Sequence, residues 1–462
     1  MLSIFDHGPQ LCDRFPRREV LRAGALGLTA GLLSRTALSA PVVPKNGKAK
    51  RVIVLFLLGG PPQHSTWDPK PDAPSEIRGE FGPIPTVVPG LNICELMPDT
   101  ARIADKLAIL RAVVTGDNAH SSSGYAMMTG QPHMPLQVEN GSPGAPNDYP
   151  TMGSIVQHLH RGPRLLPPAV RLPMHIFNTD QSVWPGQDSG FLGHAADPWL
   201  FRCEPASPTY SVPQFQLQAD VSLGRLDHRH TLLSQRESQL REIDRGPAFV
   251  EYGAQRDQAL TLLGTASARE ACDLNRESDA TRDRYGRSQF GQSVLLSRRL
   301  VEAGVSFVQV NWFRGPDEPS DAPCWDSHAN EATRLKNVLV PPLDRALAAL
   351  ISDLSERGML DDTLVACLSE FGRTPRINAR AGRDHWGHVF SVALAGGGIK
   401  GGVVHGASDG HAAYPSEGAV APCDITATIF DRLGYAPDTE IHDPLGRPLP
   451  ISRGVPISAI LA

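Results

Sequence analysis

Acidic and imidazole side chains in this sequence gather just beyond apolar runs. Asp326 and His328 come after VSFVQVNW, Glu370 follows TLVACLS, and His385 and His388 stand shortly before FSVALAGGG. Such runs read as buried strands, and chain reversals after buried strands are where α/β proteins build sites. Carboxylate and imidazole together suit a bound cation better than they suit packing. The pattern points to a divalent metal, zinc first, with manganese, calcium or iron as alternatives.

Three segments carry the candidates. In WDSHAN, Asp326 and His328 lie two apart, so an extended loop brings both to one ion, and Asn330 adds an oxygen donor. In SEFGRTPR the chain turns at Gly372 straight after a strand, which places Glu370 as ligand or base and Arg373 and Arg376 to clamp an anionic oxygen. GRDHWGH supplies the imidazole pair His385 and His388. The expected ligand set is therefore Asp326, His328, Glu370, His385 and His388. Singly, each reads as a hydrogen-bonded structural residue; together, at three strand ends, they read as a site. Other motifs carry less. Ser121-Ser122-Ser123-Gly124 is not a Gly-x-Ser-x-Gly elbow, and GGGIKGG after a strand lacks the Walker spacing.

The elements that must position these residues alternate. Strands are expected at Arg51–Leu58, Leu107–Val114, Ala169–Phe177, Val305–Trp312, Thr363–Leu368 and Val389–Ala395. A helix is expected over Glu331–Gly358, with Leu335, Leu339, Leu343, Leu347 and Leu350 as its core stripe. Gly124–Thr129 opens a short helix stopped by Gly130, after a loop from Gly116 to Ser123. This alternation predicts an α/β fold: a doubly wound, mostly parallel sheet with helices on both faces and long loop insertions. One domain spans 41–462, with a polar helical insertion around 220–300.

Residues 1–40 read as a twin-arginine export signal. Arg17-Arg18 precede the apolar AGALGLTAGLL and a small-residue stretch at 37–40. The expected destination is periplasmic or extracellular. No later apolar run approaches the ~20 residues that span a bilayer, so no membrane span is expected in the mature chain. A net charge of −5 with no Lys/Arg-rich tract argues against nucleic acid as a partner. The seven cysteines form no Cys-x-x-Cys pair, which argues against a zinc finger or a redox motif.

Seven stretches, in order, resemble the family called domain of unknown function 1501, grouped with the alkaline phosphatase superfamily of sulfatases and cofactor-independent phosphoglycerate mutases. They are LGGPPQHSTWDPKP (58–71), RGEFGPI (78–84), AHSSSGYAMMTG (119–130), RDRYGRSQFGQS (282–293), WDSHANE (325–331), SEFGRTPRIN (369–378) and GRDHWGHVFSVALAGGGIKGG (382–402). The resemblance implies an alkaline-phosphatase-like fold and a metal-dependent hydrolase. It also implies departures from the superfamily pattern. The first-strand aspartate is replaced by Leu58-Gly59-Gly60, with Asp68 or His64 as substitutes. The nucleophile position falls on His120, beside Ser121, and the absence of Cys at 120 excludes a formylglycine sulfatase. One metal position is retained in Asp326, His328 and His385. At the other, Glu370-Phe371 stands where the superfamily has Asp-His. The function so implied is an exported one-metal hydrolase of a phosphate or sulfate ester, such as a sulfated or phosphorylated glycan. Its expected catalytic residues are His120, Ser121, Glu370 and Arg373, and the ion would lower the pKa of a water toward ~7. The alternative is a catalytically degenerate, alkaline-phosphatase-like binding or cell-envelope protein.

Overall fold

A computed structural model of the protein describes residues 47–160, 165–210, 222–240, 260, 265–313 and 324–462. The expected export signal, residues 1–40, lies outside them. Residues 44–462 form one compact unit.

An eight-stranded sheet runs through the middle. Its strands are β1 (Arg51–Phe56), β2 (Leu107–Val113), β3 (Ala169–Leu172), β4 (Trp199–Leu200), β5 (Phe307–Asn311), β6 (Thr363–Leu368), β7 (Phe390–Ala395) and β8 (Val403–His405). Their order across the sheet is β8-β2-β7-β6-β1-β5-β3-β4, and only β7 runs against its neighbours. The central strands β1 and β6 are buried on both faces because, past Arg51 and Thr363 at their starts, their sequences are apolar at every position, not at alternate ones.

Helices cover both faces. On one side Ile53, Leu55, Val308, Val310 and Val365 share a core with α3 (Gln289–Glu302) and α4 (Val340–Glu356). All five leucines of the expected stripe are buried there. On the other side lie α1 (His120–Thr129), whose Met128 sulfur accepts from Gln309, and α2 (Met152–Leu159), whose Gly153 meets Phe307. A fifth helix, α5 (Pro422–Arg432), packs along α1. The doubly wound, mostly parallel α/β architecture expected from the sequence is the one observed. Part of the polar 220–300 stretch is an exposed helix, Leu223–Leu240, but α3 at its end covers the sheet.

Helix α1 starts at His120, four residues before the expected Gly124. Serines usually favour caps and turns because their hydroxyls compete for local backbone groups. Here they bond at long range instead. Ser123 donates to the Glu370 carbonyl at 2.5 Å, and Ser122 accepts from Val138 N–H at 3.0 Å. Gly130, at φ 71°, ends the helix as expected.

Candidate metal centre

The ends of three adjacent parallel strands converge at one edge of the sheet. Beyond β1 comes Gly59, beyond β6 comes Glu370, and the chain following β5 returns with Asp326 and His328. The N-terminus of α1 delivers His120. A two-residue ribbon, Gly372–Arg373 against His385–Trp386, delivers His385.

Asp326 is the hub. Its Oδ1 lies 3.0 Å from both His328 Nε2 and His385 Nε2, and its Oδ2 lies 3.2 Å from His120 Nε2. The His328 and His385 Nε2 atoms are themselves 2.9 Å apart. Each ring turns its other nitrogen to an oxygen acceptor. His120 Nδ1 meets Glu370 Oε1 at 2.9 Å, His328 Nδ1 meets Asp384 at 2.8 Å, and His385 Nδ1 meets the Asn118 carbonyl at 2.7 Å. Those partners accept only, so each Nδ1 carries the proton and each Nε2 of a neutral ring presents a lone pair. Three lone pairs and a carboxylate then face one another. That is stable only around a cation, whether protons on the rings or a metal ion. Separations of 2.9–3.2 Å come close to the ~3.3 Å edge of a tetrahedron with ~2.0 Å zinc–nitrogen bonds. Each ring is also fixed through Nδ1 by an oxygen, as metal-bound histidines are. The donor set fits a divalent ion, and His120, Asp326 and His385 stand within 4.8 Å of one another by their ligand atoms.

Electrostatics agree. Burial pushes the Asp326 carboxyl up, but the Arg373 guanidinium and His120 outweigh it and hold the group far below the carboxylate range. Burial would lower His120, yet the charge of Asp326 and hydrogen bonds to Asp326 and Glu370 raise it to about 10 without a metal. His328 is raised by its hydrogen bond to Asp326, against burial.

The structure moves four expected residues out of their assigned roles. Glu370 is fully buried behind His120; its Oε1 also accepts from Gly59 N–H at 2.7 Å, so it holds the His120 ring from behind and stands apart from the converging Nε2 atoms. Arg373 is equally buried. It donates to the carbonyls of Gly59, Gly60 and Arg383 and to Asp326 at 2.5 Å, so it is a fixed counter-charge under the hub and not an anion clamp. Ser121 is no free nucleophile: its hydroxyl donates to the carbonyls of Val138 and Glu139 and accepts from Gly141 N–H, clipping that loop to α1. His388 lies outside the cluster, its ring against Trp386 and Tyr414. The suggested substitutes for the first-strand aspartate are also occupied elsewhere. Asp68 pairs with Lys70 at 3.1 Å, and His64 meets the His411 carbonyl at 2.8 Å. Arg376 is exposed.

Where the superfamily aspartate would stand, Gly59 has φ +113°, and a Cβ there would sit 2.4 Å from Asp326 N. The loop that brings Asp326 in therefore needs a glycine. Phe371 stacks on His385 at 4.5 Å and lies 4.9 Å from His120 by ring centroids, so a ring occupies the flank where the resemblance has a second ligand.

A cavity of about 570 Å3 opens over the cluster. It exposes two groups that sequence reasoning passed over. Glu139, in a Pro/Gly/Asn-rich segment read as plain surface, lies 3.3 Å from His385 Nδ1 and accepts from His120 N–H. Burial raises its carboxyl, but the hydrogen bond from His385 and the charge of His120 bring it below its ordinary value. His175 lines the same cavity, held by Asp188 at 3.0 Å, which the buried Arg171 holds in turn at 3.1 Å.

Fold and site together define a doubly wound α/β protein with a histidine-rich metal-type centre at its strand ends. The chain belongs to the family described as protein of unknown function (DUF1501), whose profile matches residues 49–461. No curated protein matches it. Among solved structures it is similar to a phosphonate monoester hydrolase of Agrobacterium radiobacter, at 14% identity and TM-score 0.41, over 89% of this chain and 77% of that one. It is also similar to a sulfatase from Pseudoalteromonas sp., at 15% identity and TM-score 0.38, over 84% and 68%. A phosphonate monoester hydrolase from Silicibacter pomeroyi matches at 12% identity and TM-score 0.39, over 90% and 76%. The fold stands on the sheet itself.

Proposed function

We propose that the protein is a metal-dependent hydrolase of an anionic ester, a phosphate or sulfate, working with one divalent ion, zinc first. The observation that carries this reading is the convergence of three Nε2 lone pairs on one carboxylate beside an open cavity. His120, Asp326, His328 and His385 would hold a divalent ion, which would supply Lewis acidity toward water and the ester oxygens. Arg373 keeps Asp326 ionised. Glu370, Asp384 and the Asn118 carbonyl hold the three rings with Nε2 inward. Glu139, half-exposed at the cavity, takes the proton from the attacking water. His175, the lining imidazole outside the cluster, gives one to the leaving group. With the Ser121 hydroxyl committed to the backbone, attack is by water directly, with no covalent intermediate. We also propose that the enzyme leaves the cytoplasm by the twin-arginine route, on the strength of Arg17-Arg18.

Metal analysis of the purified protein, with 4-nitrophenyl phosphate and sulfate assays, tests the reading. About one divalent ion per chain and turnover that vanishes in Asp326→Ala are expected. A protein that binds no divalent ion at this cluster refutes it. One observation favours a second reading, a binding or cell-envelope protein of the same fold: among the described residues, the Ser121 hydroxyl and the Arg373 guanidinium, both expected to be catalytic, are locked into structure. Metal binding without turnover of any ester would select it.

A further inference from the structure

Away from the metal cluster the cavity changes character. Met174, Ile176, Phe177, Trp184, Trp312 and Phe313 line it, with Asn140, Thr179 and Gln181 as neutral hydrogen-bonding groups. Among the described lining residues there is no Lys or Arg, and the carboxylates are Asp326 and Glu139, both at the metal end.

The aromatic wall is built. A hairpin folds Phe177 onto Val183 and ties Asn178 N–H to the Ser182 carbonyl at 2.8 Å. Thr179 meets Asn140 across the mouth at 3.2 Å. Trp184 is buried at the hairpin's end, 5.8 Å from the His120 ring, so the wall continues into the metal centre. Phe177 is 38% exposed, a large apolar ring left open beside a polar site. Flat aromatic faces with a few neutral hydrogen-bonding groups take a ring by stacking and fix it by its hydroxyls.

We propose that this wall is the subsite for the substrate's organic part, and that this part is an uncharged, hydroxyl-bearing ring joined to a single anionic ester group. The proposal rests on the hydrolase reading for the ester itself. One charge is matched at the metal end. A second sulfate or phosphate on the ring would be drawn from water onto a wall whose described residues offer no cation, which is unfavourable. The described lining therefore favours a singly charged ester over a multiply sulfated glycan. A sugar meets both requirements; an aryl ester, whose phenol oxygen is the ester oxygen, meets the stacking requirement alone.

The test uses metal-loaded full-length protein. Initial rates are measured on 4-nitrophenyl sulfate and phosphate, glucose 6-sulfate and 6-phosphate, their methyl ester counterparts, and a disulfated disaccharide. Phenol and glucose binding is followed by tryptophan fluorescence. Ring monoesters should exceed methyl esters in kcat/KM at least tenfold, and Phe177→Ala should cut that ratio about tenfold. The aryl and sugar arms tell which ring is native. A ratio unchanged in Phe177→Ala overturns the proposal, and so does preference for the disulfated substrate. If no ester is turned over but phenol or glucose binds, and Phe177→Ala weakens it, the ring subsite stands and the hydrolase reading falls. If neither binds, the subsite falls even where methyl esters are hydrolysed.

Discussion

Replacing Glu370 with Gln isolates the charge behind His120. The carboxylate Oε1 accepts from His120 Nδ1 at 2.9 Å and from Gly59 N–H at 2.7 Å, while Oε2 lies 3.0 Å from Ser369 Oγ. Glutamine is isosteric. Its oxygen keeps both accepted bonds, and its NH2 donates to Ser369 Oγ, whose own proton goes to the Leu57 carbonyl at 2.9 Å. Every hydrogen bond survives and only the negative charge is lost. Removing an outer partner of a metal-binding histidine costs roughly 10–100-fold in affinity, and with the bond retained the low end applies: about tenfold, or ~1.4 kcal/mol. Glu370→Ala does more, because it strands the buried Gly59 N–H and the Nδ1–H of His120, at ~1–3 kcal/mol of stability for each orphan. The assay is zinc competition against a chromophoric chelator, read beside thermal unfolding of the metal-free protein. An unchanged dissociation constant in Glu370→Gln refutes a contribution from the charge behind His120. Loss of a thousandfold or more would make Glu370 a direct ligand and overturn its placement behind His120.

His388→Ala should leave zinc affinity unchanged in the same competition, since that ring packs edge-on to Trp386 and tilted against Tyr414, whereas His328→Ala should weaken zinc binding by well over tenfold. Ser121→Ala should lower the stability of the fold by ~1–3 kcal/mol in denaturant titration, because the Gly141 N–H loses its acceptor, yet ester turnover should persist; abolished turnover in a folded variant would return the serine to a catalytic role. Asp188 gives a pH signature. Burial raises its carboxyl, but the His175 hydrogen bond and the Arg171 charge outweigh this and bring it down to about 2. A depressed carboxyl contributes stability above its unfolded value near 3.8, lost as pH falls toward 2. The group is 38% exposed, so screening leaves roughly 1 kcal/mol. Asp188→Asn should flatten the acid limb of the stability curve between about pH 4 and 2, as followed by circular dichroism, and an unaltered limb would count against the Arg171–Asp188–His175 chain.

How much was legible in the sequence depends on the range of the forces involved. β6 matches its expected bounds and β1, β2, β5 and β7 nearly do, because uninterrupted apolar runs have one stable place, the interior of a covered sheet. Asp326, His328 and His385 were legible for a related reason: they stand beyond strands whose ends must lie together. The misassigned residues depend on contacts that leave no local trace. Arg373 reads as an exposed anion clamp until the Gly59 carbonyl, 314 positions away in sequence, is seen to bind it. His385 and His388 look like a pair, but a two-residue ribbon points His385 at Asp326 and the chain then turns, leaving His388 with Tyr414. Glu139 was hidden by its setting, since a Pro/Gly-rich stretch gives no sign that Ser121 clips it over α1. Gly59 is the instructive residue. As sequence it looks like a lost ligand; in the fold, any side chain there would push Asp326 out of the cluster, so the same change that removes one metal position lets the other form.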